Sequence, residues 1–147
     1  MHLSRLLLAF AALVLFGFRA VAAPAADDLE IVRDGRGRTI AVRNKAALPP
    51  QATYYASLAR AAAEPFTVEA AMERGTAMLA PHAAQFGVAP GELHAQGAHT
   101  DALRMSHVHY VQRHHGVPVF GSEIIVHANP DGGLSTINGR TDRKSVV

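Results

Sequence analysis

Residues 106–140 read SHVHYVQRHHGVPVFGSEIIVHANPDGGLSTINGR, and this stretch decides the fold of the chain. Apolar and polar residues alternate from 122 to 128, which is the period of a β-strand with one buried face. The run NPDGG that follows is a strong turn signal. Pro118 cannot donate a backbone hydrogen bond to a ladder, so its segment belongs at an edge or a turn. We therefore expect antiparallel strands at 104–114, 122–128 and 134–138.

Upstream of these strands, the sequence predicts an amphipathic helix over residues 67–86. Thr67 can cap its first turn, and Glu69 lies where the helix dipole favours an anion. Gly87 suits the position just after the helix. A single stripe is expected to be buried, formed by apolar residues at helical spacing: Val68, Met72, Leu79, Ala83 and Phe86.

Two residues are unfavourable within that helix. Gly75 costs about 1 kcal/mol relative to alanine in a helix interior. Pro81 removes an intrahelical donor, so it should kink or split the helix near Ala80.

The N-terminal part adds a hairpin. Residues 29–33 and 39–43 both alternate at period two, and the intervening DGRG accepts turn conformations. A short strand is expected at 92–96 and an alanine-rich helix at 52–63. Together these elements predict an α+β fold, with one main amphipathic helix packed on an antiparallel sheet and preceded by a hairpin.

Residues 1–22 have the layout of a secretory signal peptide. Arg5 precedes an apolar run at 6–18, and Ala20-Val21-Ala22 offers a small-x-small cleavage pattern. We expect cleavage before Ala23, with no stable membrane span afterwards. The predicted organisation is a signal peptide (1–22), a leader with hairpin and short helix (23–65), a main domain (66–140) and an unassigned tail (141–147) that suggests a truncated chain.

Composition excludes several classes of function. The 147 residues include 14 basic and 12 acidic ones. Removal of Arg5 and Arg19 with the signal peptide leaves 14 − 2 = 12 basic residues, a balance without the basic stripe that nucleic acid requires. Cysteine is absent, which excludes disulfides, thiolate nucleophiles and cysteine-based zinc sites.

No catalytic motif is present in the sequence. HExxH, which places two zinc ligands and a base on one helix, does not occur, nor does the GxSxG of a serine hydrolase. We therefore predict no catalytic residue, no cofactor and no metal ligand in this chain.

The nine histidines leave one alternative open. His107 and His109 are two apart on one strand and share a face, and His127 on a later strand could approach them. Three imidazoles with an open position could bind zinc. The preferred interpretation is that they are ordinary residues of a half-exposed sheet face, since strand alternation alone produces such pairs. A histidine-based periplasmic metal-binding protein remains the alternative.

The motifs H-V-H-Y, G-V-P-V-F-G-S-E, V-H and N-G, in that order, resemble the propeptide domain of fungalysin-like and thermolysin-like secreted metalloproteases. The resemblance is densest from His107 to His127 and extends back to the predicted helix, about half of the chain. It implies structural or interface roles for the motif residues: His107, Tyr110, Gly116, Pro118, Val119, Phe120, Gly121, Glu123 and His127.

The resemblance implies a cystatin-like fold and a secreted, extracellular or periplasmic precursor. Such precursors carry a second propeptide domain and then a zinc metalloendopeptidase, which the propeptide helps to fold and occupies until cleavage. The partner would be that thermolysin-like peptidase domain in cis, and zinc and calcium would belong only to it. A free-standing secreted protease inhibitor of the same fold is the alternative.

Overall fold

The structure, a computed structural model, describes residues 28–46, 56, 58–59 and 65–142. The predicted signal peptide at 1–22 lies outside these residues. So do nearly all of the predicted helix at 52–63 and residues 143–147 of the predicted tail.

The described residues form one sheet and one main helix. In chain order they are β1 (Leu29–Arg33), β2 (Thr39–Asn44), α1 (Val68–Leu79), two 3₁₀ segments (Ala80–Phe86 and Pro90–Glu92), β3 (Leu93–Thr100), β4 (Ser106–His114), β5 (Val117–Pro118), β6 (Glu123–Ala128) and β7 (Leu134–Arg140). The spatial order is β1-β2-β7-β6-β4-β3, with β5 paired to β4 outside this path. All the pairings are antiparallel. The predicted α+β class is confirmed, whereas the cystatin-like arrangement stays a prediction.

The helix begins at its predicted cap, Thr67, but its α-helical part ends before the predicted end at Phe86. The side chain of Thr67 accepts a hydrogen bond from the backbone N–H of Ala70 at 3.3 Å. The α-helix ends at Leu79, and a 3₁₀ segment containing Pro81 continues to Phe86. Gly87 then adopts a left-handed conformation with φ of 79°. Pro81 therefore splits the predicted helix at the expected position, because it lacks the donor that a further α-turn requires.

The buried stripe of the helix differs from the predicted one. Leu79, Ala83 and Phe86 are buried as expected, and Met72 is half-buried. Val68 is 39% exposed, so its prediction as a core residue was wrong. Ala71 and Gly75 face the sheet instead.

Gly75 explains why small residues occupy this face. A Cβ atom on Gly75 would lie 2.8 Å from the hydroxyl of Tyr110 and 2.9 Å from Cγ2 of Val108. The helix approaches β4 too closely for any side chain at this position. Its low helical propensity is therefore offset by the close packing that it permits.

The core lies between α1 and one face of the sheet. Its buried side chains include Val42, Ala71, Leu79, Phe86, Val108, Tyr110, Ile124, Val126, Leu134 and Ile137. Along β6, Ile124, Val126 and Ala128 are buried while Glu123, Ile125 and His127 are not, which confirms the predicted alternation.

The N-terminal hairpin belongs to the same sheet. β2 pairs with β7, and Val42 lies opposite Ile137, with both side chains fully buried. Thr136 Oγ1 donates a hydrogen bond to the backbone carbonyl of Val42 at 3.0 Å. β7 is consequently an internal strand, covered on its outer edge by the hairpin.

Among the described helices, none has the length and apolar character that crossing a membrane requires.

Candidate functional site

The strand pairing places a row of histidines on the sheet face opposite α1. His107 of β4 lies opposite His99 of β3 on one side and opposite His127 of β6 on the other. Residues opposed in an antiparallel pair share a face, and Val108 and Val126, one position along each strand, are buried against the helix side. We call this set, completed by His109 of β4, the histidine face.

Four side chains of this region form a continuous hydrogen-bonded chain. Nε2 of His107 lies 3.0 Å from Oδ2 of Asp101, in the loop after β3. Nδ1 of His107 lies 2.6 Å from Nδ1 of His127. Nε2 of His127 lies 2.5 Å from Oδ1 of Asn138 in β7. We call this chain the histidine relay.

The other rings pack around the relay. His99 stacks on His107 with ring centroids 4.9 Å apart, and it stacks on His109 at 5.5 Å. The rings of His107 and His127 meet edge to face at 4.8 Å. These ring contacts pack the four histidines closely together on the face.

The environment shifts two ionisable members of the relay. Burial lowers the pKa of His127, a direction that the neighbouring His107 and His109 reinforce, although the hydrogen bond to Asn138 opposes it. Partial burial opposes ionisation of Asp101, but hydrogen bonds from His107 and from the backbone N–H groups of Met105 and Leu103 lower its pKa overall. The relay therefore favours an ionised Asp101 and a neutral His127.

His109, although on the same face, is not part of the relay. Its Nδ1 lies 2.9 Å from Oε1 of Glu123, whose side chain is 58% exposed. A contact this exposed contributes little to stability.

The three histidines that formed the metal-binding alternative do not converge on one point. His107 and His127 face each other through Nδ1, whereas His109 turns to Glu123. Within residues 28–46 and 65–142, no group of three or more histidine, aspartate or glutamate side chains is arranged to hold a metal ion.

The turn between β4 and β6 holds most of the other residues singled out in the sequence. Gly116 and Gly121 adopt left-handed conformations with φ of 82° and 73°. Pro118 pairs with Arg113 in the two-residue strand β5, at the edge position that was expected for it. Glycine at both ends lets the chain reverse twice within a few residues.

Ser122 fixes this turn to the sheet, a role that sequence reasoning missed. Its hydroxyl donates to the carbonyl of Val119 at 2.8 Å and accepts from the backbone N–H of Gln112 at 3.1 Å. Ser122, Gln112 and Val119 are all buried. The turn is thus anchored at Val119, while its apolar tip points away from the core.

That tip exposes two large apolar side chains. Phe120 is 103% exposed and Val117 is 66% exposed, and Pro118 between them is also exposed. A fully exposed phenylalanine on a well-anchored turn is a typical contact residue for another protein surface. Tyr110, by contrast, is buried, and its hydroxyl contacts that of Thr76 at 3.1 Å, so its role is to pack the helix onto the sheet.

Three residues of the histidine face and the histidine relay were not predicted from the sequence: His99, Asp101 and Asn138. Asn138 lay within a quoted motif, the only signal available for it. Nothing in the local sequence distinguishes Asp101 from any other loop carboxylate, because its contact with His107 depends on how β3 and β4 are paired.

Comparison with protein families places these features in a known motif. Residues 91–141 match the family model of the Fungalysin/Thermolysin Propeptide Motif. The match includes β3 to β7, with the histidine face and the exposed turn, but not α1, to which the sequence resemblance was extended. No curated protein and no solved structure matched the chain. Residues 91–141 therefore carry a fungalysin/thermolysin propeptide motif, as is consistent with a propeptide domain of a thermolysin-like protease precursor.

Proposed function

We propose that this chain is the propeptide region of a secreted thermolysin-like metalloprotease precursor, where it assists folding of the peptidase and occupies it until cleavage. The observation that carries the proposal is the motif match over residues 91–141. A propeptide motif implies a peptidase domain linked in cis, and the proteases that carry such propeptides are secreted. Processing of residues 1–22 as a signal peptide is part of the same proposal.

A partner of this kind would act by preferential binding. A segment that binds the folded or nearly folded peptidase, but not the unfolded chain, stabilises the folded state by mass action. Linkage in one polypeptide makes the encounter intramolecular and raises the effective concentration. Neither step requires a catalytic group in the propeptide itself.

The exposed turn is the surface that we propose contacts the peptidase. Phe120 presents its whole side chain to solvent, with Val117 beside it, while Ser122 holds the base of the turn to the sheet. Burial of one phenylalanine side chain stabilises a complex by about 1.5–3 kcal/mol. Since the turn is already ordered by its anchor, little conformational entropy is lost on binding.

The proposal is tested by refolding a thermolysin-like metallopeptidase. The denatured enzyme is diluted from guanidinium with and without the full chain, and recovered activity is measured. The folded enzyme is also assayed with increasing concentrations of the chain. We expect a higher yield of active enzyme and a lower initial rate of peptide hydrolysis. Equal yields and equal rates at every concentration would contradict the proposal.

The contact surface is tested by Phe120→Ser, with Leu103→Ser as its matched control. Leu103 is also a large exposed apolar residue, at 58%, but it lies in the loop between β3 and β4. We expect Phe120→Ser to weaken inhibition about tenfold or more, which corresponds to about 1.4 kcal/mol or more. Leu103→Ser should leave inhibition unchanged. Equal effects of the two substitutions would exclude the turn as the specific contact.

A further inference from the structure

In the histidine relay, every ring nitrogen of His107 and His127 has a hydrogen-bond partner. Its two histidines lie directly opposite each other on β4 and β6, and both ring nitrogens of each take part. Both ends of the chain are also defined, by a carboxylate at Asp101 and an amide at Asn138. The largest number of protons that the relay can hold is therefore limited by its geometry.

Asp101 determines the position of the first proton. An ionised carboxylate only accepts hydrogen bonds, so Nε2 of His107 carries a proton. Between His107 and His127, the two Nδ1 atoms are 2.6 Å apart, which leaves room for one proton and not two.

Two arrangements satisfy every contact. In the first, both histidines are neutral: Nδ1–H of His127 donates to His107, and the amide NH₂ of Asn138 donates to Nε2 of His127. In the second, one more proton is bound: it is shared between the two Nδ1 atoms, Nε2–H of His107 donates to Asp101, and Nε2–H of His127 donates to Oδ1 of Asn138.

A second added proton has no place in the relay. It would put hydrogens on both Nδ1 atoms, so that His107 and His127 would point N–H groups at each other with like charges. The rings of His107 and His127 would have to separate. The side-chain contact between β4 and β6 would then be lost.

We propose that the Asp101–His107–His127–Asn138 relay binds a single shared proton and breaks when a second one binds, so that acid selectively loosens the pairing of β4 with β6. The half-buried position of the two rings supports this, because few water molecules can reach the separated charges to stabilise them.

The surrounding charges do not offer an alternative partner for the second proton. Glu123 is already engaged by His109, and Arg140 lies opposite Glu123 on β7. The titratable and charged groups that face the relay from the neighbouring elements are His99 of β3, His109 of β4, Glu123 of β6, Arg140 of β7 and Arg43 of β2.

If the chain acts as a propeptide, acid would also weaken its contact with the peptidase, an effect that rests on the proposed function. β4 and β6 both lead into the exposed turn, so loosening their pairing from the His107–His127 end weakens the support of the proposed contact surface. Acidification would then favour release of the peptidase. The relay is tested on the full chain without a peptidase. A negative result there would refute the relay and would leave the proposed function untouched.

The test follows the ring nitrogens of His107 and His127 by ¹H–¹⁵N NMR of the labelled full chain, from about pH 8 to about pH 4. We expect the pair to bind protons in two coupled steps separated by more than about one pH unit. Only the second step should coincide with loss of the amide cross-peaks of β4 and β6. Two independent titrations at the same pH, with those cross-peaks intact, would overturn the proposal.

Two substitutions and a control sharpen the result. Asn138→Asp presents only acceptor oxygens, so it fixes the protonated arrangement, and the first step should move to higher pH by about one unit or more. His127→Gln should replace the two steps by one. His94→Gln, on an exposed residue of β3 outside the relay, should leave both steps unchanged. If the first protonation step occurs at the same pH in Asn138→Asp as in the parent, the relay is refuted. This holds even if His127→Gln does not fold.

Discussion

Replacing Gly139 with alanine is expected to be the most damaging single-methyl change in the sheet. Gly139 lies in β7 opposite Ile124 of β6, with φ of 151°, in a region that residues with a side chain rarely adopt. A Cβ atom there would lie 2.0 Å from the backbone carbonyl oxygen of Glu123 and 2.7 Å from Cα of Ile124. These are backbone atoms, so no rotation of a side chain can relieve the overlap.

The cost has two parts. Holding a residue with a side chain in this conformation costs about 1–3 kcal/mol. The strands must also separate locally, which removes at least one backbone hydrogen bond with a net value of about 1 kcal/mol. We therefore expect Gly139→Ala to lower the free energy of unfolding by about 3 kcal/mol, a large part of the 5–15 kcal/mol that a domain ordinarily has.

Urea denaturation of the full chain, followed by far-ultraviolet circular dichroism, measures this loss. At a slope of about 1.5 kcal/mol per molar urea, the midpoint should fall by about 2 M. Gly97→Ala is the matched control, since Gly97 lies in β3 with no atom within 4 Å of its Cβ position and no positive φ. It should gain about 0.5–1 kcal/mol, because alanine loses less conformational entropy. A Gly139→Ala midpoint within about 0.5 M of the parent would refute the reasoning.

Three further predictions use the same denaturation assay. Gly75→Ala should lower the free energy of unfolding by about 1 kcal/mol, because overpacking against Tyr110 costs about 2 kcal/mol and the higher helical propensity of alanine stabilises by about 1 kcal/mol. A more stable variant would contradict the close packing of Gly75 against β4. Ser122→Ala should cost about 1–3 kcal/mol, because it removes the buried acceptor of a backbone N–H; an unchanged midpoint would show that the turn is anchored elsewhere. Lowering the pH through 6.5 should reduce stability, because burial lowers the pKa of both His127 and His82 below the unfolded value of 6.5, so the unfolded chain binds more protons there. The loss should shrink in His127→Gln, and a pH-independent midpoint between about 7.5 and 5.5 would contradict the sign.

Much of the fold could be predicted from local patterns. The strand at 122–128 and the end of the helix at Pro81 depend on alternation and on a missing donor, which are properties of neighbouring residues. Val68 shows where such reasoning fails. Helical periodicity places it on the apolar stripe, but the buried residues of α1 are Ala71, Gly75 and Leu79, and Val68 remains exposed.

The candidate site was predicted less completely than the fold. His107 and His127 could be assigned to one face from alternation, but their direct contact requires the register between β4 and β6. Phe120 and Val119 are adjacent apolar residues of one turn, and the sequence does not distinguish which of them is buried. The hydrogen bonds of Ser122 decide that Val119 is held at the core and Phe120 is left outside.

The sequence by itself determined the elements, the turns and the propeptide motif, because each depends on residues close together in the chain. Only the tertiary structure decided what distant residues do to one another. Gly75 looked like a weakness of the helix until its contact with Tyr110 showed that a side chain would not fit. The hairpin had no assigned partner until Val42 was found opposite Ile137. The physical reason is the same in both cases. Propensity depends on residues that are neighbours in the sequence, whereas packing and strand register depend on residues that are distant in the sequence.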